Sequence, residues 1–193
     1  MFLDADFLRE KFGQGMTYAD FVASGEGEGH RPPWDDRYGK LALDDAQTEL
    51  VAGFTRDMNV LCLTGTWCGD CALQGSAMTR IAEANPARIH LRYLPRHEAH
   101  ADLVTKAPIN AGFRVPVTWI ASEDFDTVSV FGDRTLTRYR AMAARQFGAS
   151  CPLPGAPVPD DELQATLQDW LDEVERVHLL LRTSGRLRKL HGD

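Results

Sequence analysis

The stretch that most restricts how this chain can fold starts at Asn59. Asn59 to Thr64 reads Asn-Val-Leu-Cys-Leu-Thr, a short apolar run of the kind that forms a strand buried on both faces. Gly65-Thr66-Trp67-Cys68-Gly69-Asp70-Cys71 follows at once, then an alanine-rich stretch in which Leu73, Ala77 and Ile81 recur at i+4 until Pro86 ends the helix. Two cysteines therefore sit where a buried strand turns into a helix. Arg88 to Leu94 alternates around Ile89, Leu91 and Tyr93 as a second strand, which completes a βαβ unit, and Glu98 to Lys106 predicts a short helix. Val117 to Ala121 and Thr127 to Phe131 read as two more strands joined by the acidic turn Ser122 to Asp126, an antiparallel hairpin. Leu136, Tyr139, Met142 and Ala143 mark a helix running to about Phe147.

The flanks carry weaker signals. The first segment reads as helical and extraneous to any core, with Thr17 and Asp20 opening a short helix through Val22. It has no basic region followed by an apolar run, so it does not read as a secretory signal. Gly25 to Trp34, with three glycines and the pair Pro32-Pro33, predicts a flexible loop, and Asp44 caps a helix to about Arg56. Beyond Gly148, Pro152, Pro154, Pro157 and Pro159 mark a connector, after which Leu163, Leu167, Trp170, Leu171, Val174, Val177 and Leu181 form the stripe of a long amphipathic helix. Four basic residues between Arg182 and Lys189 suit a helix carboxyl end. The expected organisation is one compact domain: residues 1–57 a helical extension, 58–147 the core, and 148–193 the connector and a helix packed on that core.

A chain of 193 residues can hide roughly 70% of its unfolded surface, so it needs neither metal nor disulfide to fold, and a cysteine pair calls for a chemical reason. The net charge of −7 argues against nucleic acid and anionic membrane as partners, and no apolar run approaches the ~20 residues of a membrane span. Four cysteines in such a chain, read as cytoplasmic, point to redox or metal chemistry. At the start of the helix, Cys68 would face unsatisfied N–H groups and the positive end of the dipole, which favour its thiolate, while Cys71 one turn inside would be shielded. That asymmetry predicts roles: Cys68 attacks a substrate disulfide, and Cys71 then attacks the mixed disulfide.

Trp67-Cys68-Gly69-Asp70-Cys71, together with Val115-Pro116 ahead of the third strand, resembles the thioredoxin superfamily over about residues 58 to 147. Within it the chain looks most like bacterial thioredoxin-like proteins with a W-C-G-D-C motif and a helical N-terminal extension. The resemblance implies an α/β fold with a central mixed four-stranded sheet flanked by helices, and extra helices at both termini. It implies a thiol–disulfide oxidoreductase with Cys68 and Cys71 as the catalytic pair, supported by Trp67, Gly69, Asp70, Val115 and Pro116. Pro116 would be cis against the two cysteines, the Val115 backbone would bond an extended substrate segment, and Gly132 would end the hairpin. The redox-active disulfide Cys68–Cys71 would replace any cofactor, with a disulfide-containing protein or small thiol as substrate and an unidentified reductant as second partner. Three positions depart from the pattern. Cys62 stands where the family has a buried acid, Asp70 replaces the motif proline and is expected to disfavour a neighbouring thiolate, and Ser76 replaces a helix-kinking proline.

Other readings stay open. Cys68, Cys71, His97 and His100 form a C-x₂-C…H-x₂-H pattern that suggests zinc, although the gap fits finger spacings poorly. His97-Glu98-Ala99-His100 also reads as a solvated helix start. Cys62 reads as a buried small hydrophobe or a third redox partner, Cys151 as a surface thiol, and Trp67 as core packing or a platform beside the thiol. A non-redox adaptor built on the same fold is the alternative function.

Overall fold

The computed structural model describes residues 2–147 and 161–192, so Cys151 and the proline-rich connector lie outside the described residues. Four helices come first: α1 (Ala5–Gly13), α2 (Tyr18–Ser24), α3 (Arg31–Lys40) and α4 (Asp45–Ala52). The βαβ unit follows as β1 (Met58–Thr64), α5 (Gly69–Ala84) and β2 (Ile89–Pro95). A 3-10 turn and the short α6 (Ala101–Val104) lead to the hairpin β3 (Val117–Ala121) and β4 (Thr127–Gly132). Then come α7 (Leu136–Phe147), α8 (Glu162–Thr183) and α9 (Gly185–His191). Among the described residues no helix is long and apolar enough to cross a membrane.

The sheet is mixed, in the order β2-β1-β3-β4. β1 runs parallel to β2 and antiparallel to β3, and β3 and β4 form the expected antiparallel hairpin. Every β1 residue is buried, because both faces of the sheet are covered. The two-residue period sorts its side chains: Met58, Val60 and Cys62 join α5, α8 and the N-terminal helices, while Leu61 and Leu63 join Leu8 of α1 and Leu103 of α6. The α8 stripe buries Leu167, Trp170, Leu171, Val174, Val177 and Leu181 on the first of these faces. Past α8, Arg186 of the basic tail pairs with Asp124 and Asp126 in the hairpin turn.

The N-terminal segment departs from the sequence reading. Instead of a flexible loop through Trp34, Glu26–Glu28 forms a 3-10 turn closed by Gly29 at φ 74°, and α3 begins at Arg31. Pro32 and Pro33 fall in the first turn of α3, where the N–H that proline lacks has no helical partner anyway. The segment is not extraneous to the core either, since Leu8, Phe21, Val22 and Trp34 are buried. Trp34 shows why. Its Nε1–H donates to the Thr66 carbonyl at 2.8 Å, and its ring lies so close to Gly75 of α5 that a Cβ there would fall 2.6 Å from it. Nearby, the Tyr93 hydroxyl donates to the Gly75 carbonyl at 2.7 Å, and the Tyr18 and Ser76 hydroxyls share a bond of 3.1 Å. The helices ahead of the sheet thus hold the motif loop and α5 through aromatic side chains.

Replacing Trp34 with Ala removes a fully buried ring and orphans an acceptor, so it should cost about 3–5 kcal/mol. Urea unfolding of both proteins measures the loss. A change under about 1 kcal/mol would mean that the N-terminal helices do not brace the sheet.

Candidate active site

The motif lies at the carboxyl end of β1, where the chain turns into α5. Cys68 has extended backbone angles (φ −93°, ψ 118°) and is the N-cap of α5, its Sγ accepting the Cys71 N–H at 3.3 Å. A sulfur thus takes the place of the oxygen that usually caps a helix. Cys68 is half-buried and Cys71 fully buried. The Cys68 thiol is lowered from 9.0 to about 7. The Cys71 thiol is the main cause, as a hydrogen-bond donor to the thiolate; the Cys71 and Asp70 N–H groups add to it, while burial and the Asp70 charge oppose them. Cys71 is pushed well above its ordinary value, chiefly by burial and then by the neighbouring Cys68 thiolate.

The Val115–Pro116 peptide is cis, as the resemblance implied, and the Val115 carbonyl lies 3.8 Å from Cys68 Sγ. Gly132 ends β4 against this peptide, where a Cβ would fall 2.6 Å from the Pro116 carbonyl oxygen. Trp67 is 53% exposed with its ring against Gly65, so it is not core packing. Gly69 opens α5, and a side chain there would meet no atom within 4 Å. Cys62 is fully buried between Tyr93 of β2 and Thr118 of β3, and burial pushes its thiol up to about 12, which leaves it a protonated core residue.

Asp70 has a setting the sequence did not disclose. Arg134 binds its Oδ2 at 2.7 Å and Arg138 its Oδ1 at 2.8 Å, so each carboxylate oxygen has its own guanidinium. The side chain is 11% exposed. Arg134 also reaches Asp133, which pairs with Arg114, and Arg138 reaches Glu162 at the start of α8. The Asp70 charge therefore opposes the Cys68 thiolate as expected, but it is countered twice and outweighed by the N–H and S–H donors. The sequence carried no signal for it, because Arg134 stands ahead of α7, Arg138 lies in its first turn, and both are more than sixty positions from Asp70. A second missed contact is His30, whose Nδ1 lies 3.0 Å from the Thr66 hydroxyl just ahead of the motif.

His97 caps the 3-10 turn after β2 and His100 is its last residue, and His97 Nδ1 accepts the Ala99 N–H at 3.2 Å, the geometry of a helix start. Among the described residues no group of three or more His, Cys, Asp or Glu side chains is placed to hold a metal ion.

A family profile described as Thioredoxin matches residues 15–145. The chain belongs to this thioredoxin-like family. The match begins well ahead of residue 58, so α2, α3 and α4 fall inside it. Two solved structures are similar in fold. One is PA1234, a protein of unknown function from Pseudomonas aeruginosa, with 22% identity over 86% of this chain and 95% of its own, at a TM-score of 0.66. The other is an HIV epitope-scaffold with 21% identity over 87% of this chain and 97% of its own, at a TM-score of 0.63. No curated protein matches this chain.

The thiol geometry sets a pH dependence. Below pH 7 Cys68 is mainly thiol and above it mainly thiolate, so its iodoacetamide reaction should rise with pH to a midpoint near 7, with Cys71 unlabelled. Mass spectrometry of the alkylated peptides reads this, and preferential labelling of Cys71 would reverse the assignment. Asp70→Asn removes a charge that opposes the thiolate and leaves two guanidinium groups in place, so the midpoint should fall. A midpoint that stays or rises would show that the Asp70 charge has no hold on Cys68.

Proposed function

We propose that this protein is a thiol–disulfide oxidoreductase that reduces disulfides through the Cys68/Cys71 dithiol. The observation that carries the reading is the unequal state of the two sulfurs, one reachable and ionised near neutral pH, the other buried and protonated, at one helix start. The Cys68 thiolate attacks a substrate disulfide: a Cys68–substrate bond forms, the substrate's S–S bond breaks, and the departing sulfur takes the electron pair and a proton. Cys71 then loses its proton and attacks Cys68 Sγ, closing the Cys68–Cys71 disulfide and releasing the second substrate thiol. Two electrons have passed to the substrate, and an external thiol reductant must return them. We place the reaction in a reducing, cytoplasmic compartment.

The direction follows from the thiol. A nucleophilic cysteine near 7 matches the reducing members of the fold, whereas strongly oxidising members hold theirs near about 3.5. The substrate is an extended disulfide-bearing segment or a small-molecule disulfide lying between the Trp67 ring, the Gly69 backbone and the Val115 backbone next to cis Pro116. The Asp70 side chain holds the motif to α7 through its two arginines.

Cys71→Ser should accumulate a mixed disulfide between Cys68 and a disulfide-bonded peptide, Cys68→Ser should accumulate none, and the unmodified protein should lose two hydrogens and release reduced peptide. Mass spectrometry of non-reduced samples distinguishes the three. A dithiol that stays reduced with excess disulfide would sink the oxidoreductase reading and favour a binding role for the fold.

A further inference from the structure

Resolution of the mixed disulfide requires Cys71 to become a thiolate inside the protein, and burial opposes that charge. The position at which the family places a buried acid is Cys62, which burial keeps protonated and which therefore offers no base at neutral pH. Another polar group lies on the same face. Met58, Val60, Cys62 and Thr64 alternate onto the side of β1 that faces α5, and Thr64 is the last of them, immediately ahead of the motif loop. Its side chain is fully buried, and its carbonyl is tied to the Arg96 N–H at 2.7 Å. Its hydroxyl, in contrast, makes no aligned hydrogen bond, although the Cys71 and Cys62 sulfurs both lie within its reach. A buried hydroxyl without an aligned partner costs on the order of 1–3 kcal/mol, a cost that a state supplying the partner relieves.

We infer that the Thr64 hydroxyl is the donor that receives the Cys71 thiolate when this sulfur resolves the mixed disulfide. The inference rests on the oxidoreductase reading and adds a residue to it. Thr64 and the Gly65 N–H are the polar groups that favour the ionised form of the Cys71 sulfur, against its burial. Thr64 keeps its own proton throughout. Cys71 releases its proton to water, the Cys71–Cys68 bond forms, the Cys68–substrate bond breaks, and the departing substrate sulfur takes a proton up, so the step is balanced. The hydroxyl rotates freely about its C–O bond, so it can turn to the sulfur as charge develops there without backbone movement.

An aromatic disulfide such as 5,5′-dithiobis(2-nitrobenzoate) separates the two steps, because attack by Cys68 releases one coloured thiolate and resolution by Cys71 releases a second. Thr64→Val keeps the shape and removes the donor. It should leave the first phase unchanged and slow the second roughly tenfold or more, in line with loss of a hydrogen bond to a charged group. Thr64→Ser restores a hydroxyl and should recover the second phase to within about threefold of the unmodified rate. A second phase unchanged in Thr64→Val, or equally slow in Thr64→Ser, overturns the inference, the latter by tracing the effect to packing. A first phase missing from the unmodified protein would overturn the oxidoreductase reading and this inference with it.

Discussion

The hydrogen bond from the Cys71 N–H to the Cys68 sulfur joins the fold to the chemistry of this protein. It exists because β1, buried along its whole length, delivers the chain to the head of α5, where the first N–H groups of the helix have no carbonyl to bond. A sulfur that fills this vacancy is stabilised as an anion, and the next cysteine, one turn on, points into the core. One helix start therefore produces two thiols of opposite character. Moving the motif by one residue along the helix would take Cys68 off the cap and remove the distinction.

The rest of the molecule holds that junction in place from three sides. Trp34 and His30 in the N-terminal region grip Thr66 ahead of the motif, through its carbonyl and its hydroxyl. Arg134 and Arg138 grip Asp70 within it, and the chain of charges continues to α8 through Glu162. The cis Val115–Pro116 peptide stands across from it, with Gly132 packed behind. Elements far apart in sequence thus converge on a few residues, so the terminal helices contribute to the site although they supply no sulfur.

The sheet was legible because its signals are local. Alternation and apolar runs located all four strands, and the strand-to-helix position of Cys68 and Cys71 conveyed their unequal burial. The N-terminal region was misread for a physical reason: glycines and consecutive prolines usually break structure, but at the first turn of α3 the prolines fit, and the tertiary contact of Trp34 with Gly75 outweighed the weak propensity. The arginine clamp on Asp70 joins residues more than sixty positions apart, and no periodic pattern records such a pairing. The Thr64 hydroxyl escaped notice for a similar reason, since a threonine in a strand is ordinary until its burial and lack of an aligned partner are seen.

The Asp70 clamp has one more consequence. Pairs of exposed charges weaken as dissolved ions gather around them, whereas pairs withdrawn from solvent are screened far less. Asp70 is largely enclosed and carries a guanidinium on each oxygen, so the counter-charge of this acid is part of the protein itself. The acid next to Cys68 therefore keeps its counter-charges in dilute and in concentrated salt alike, held there by the fold rather than by the medium.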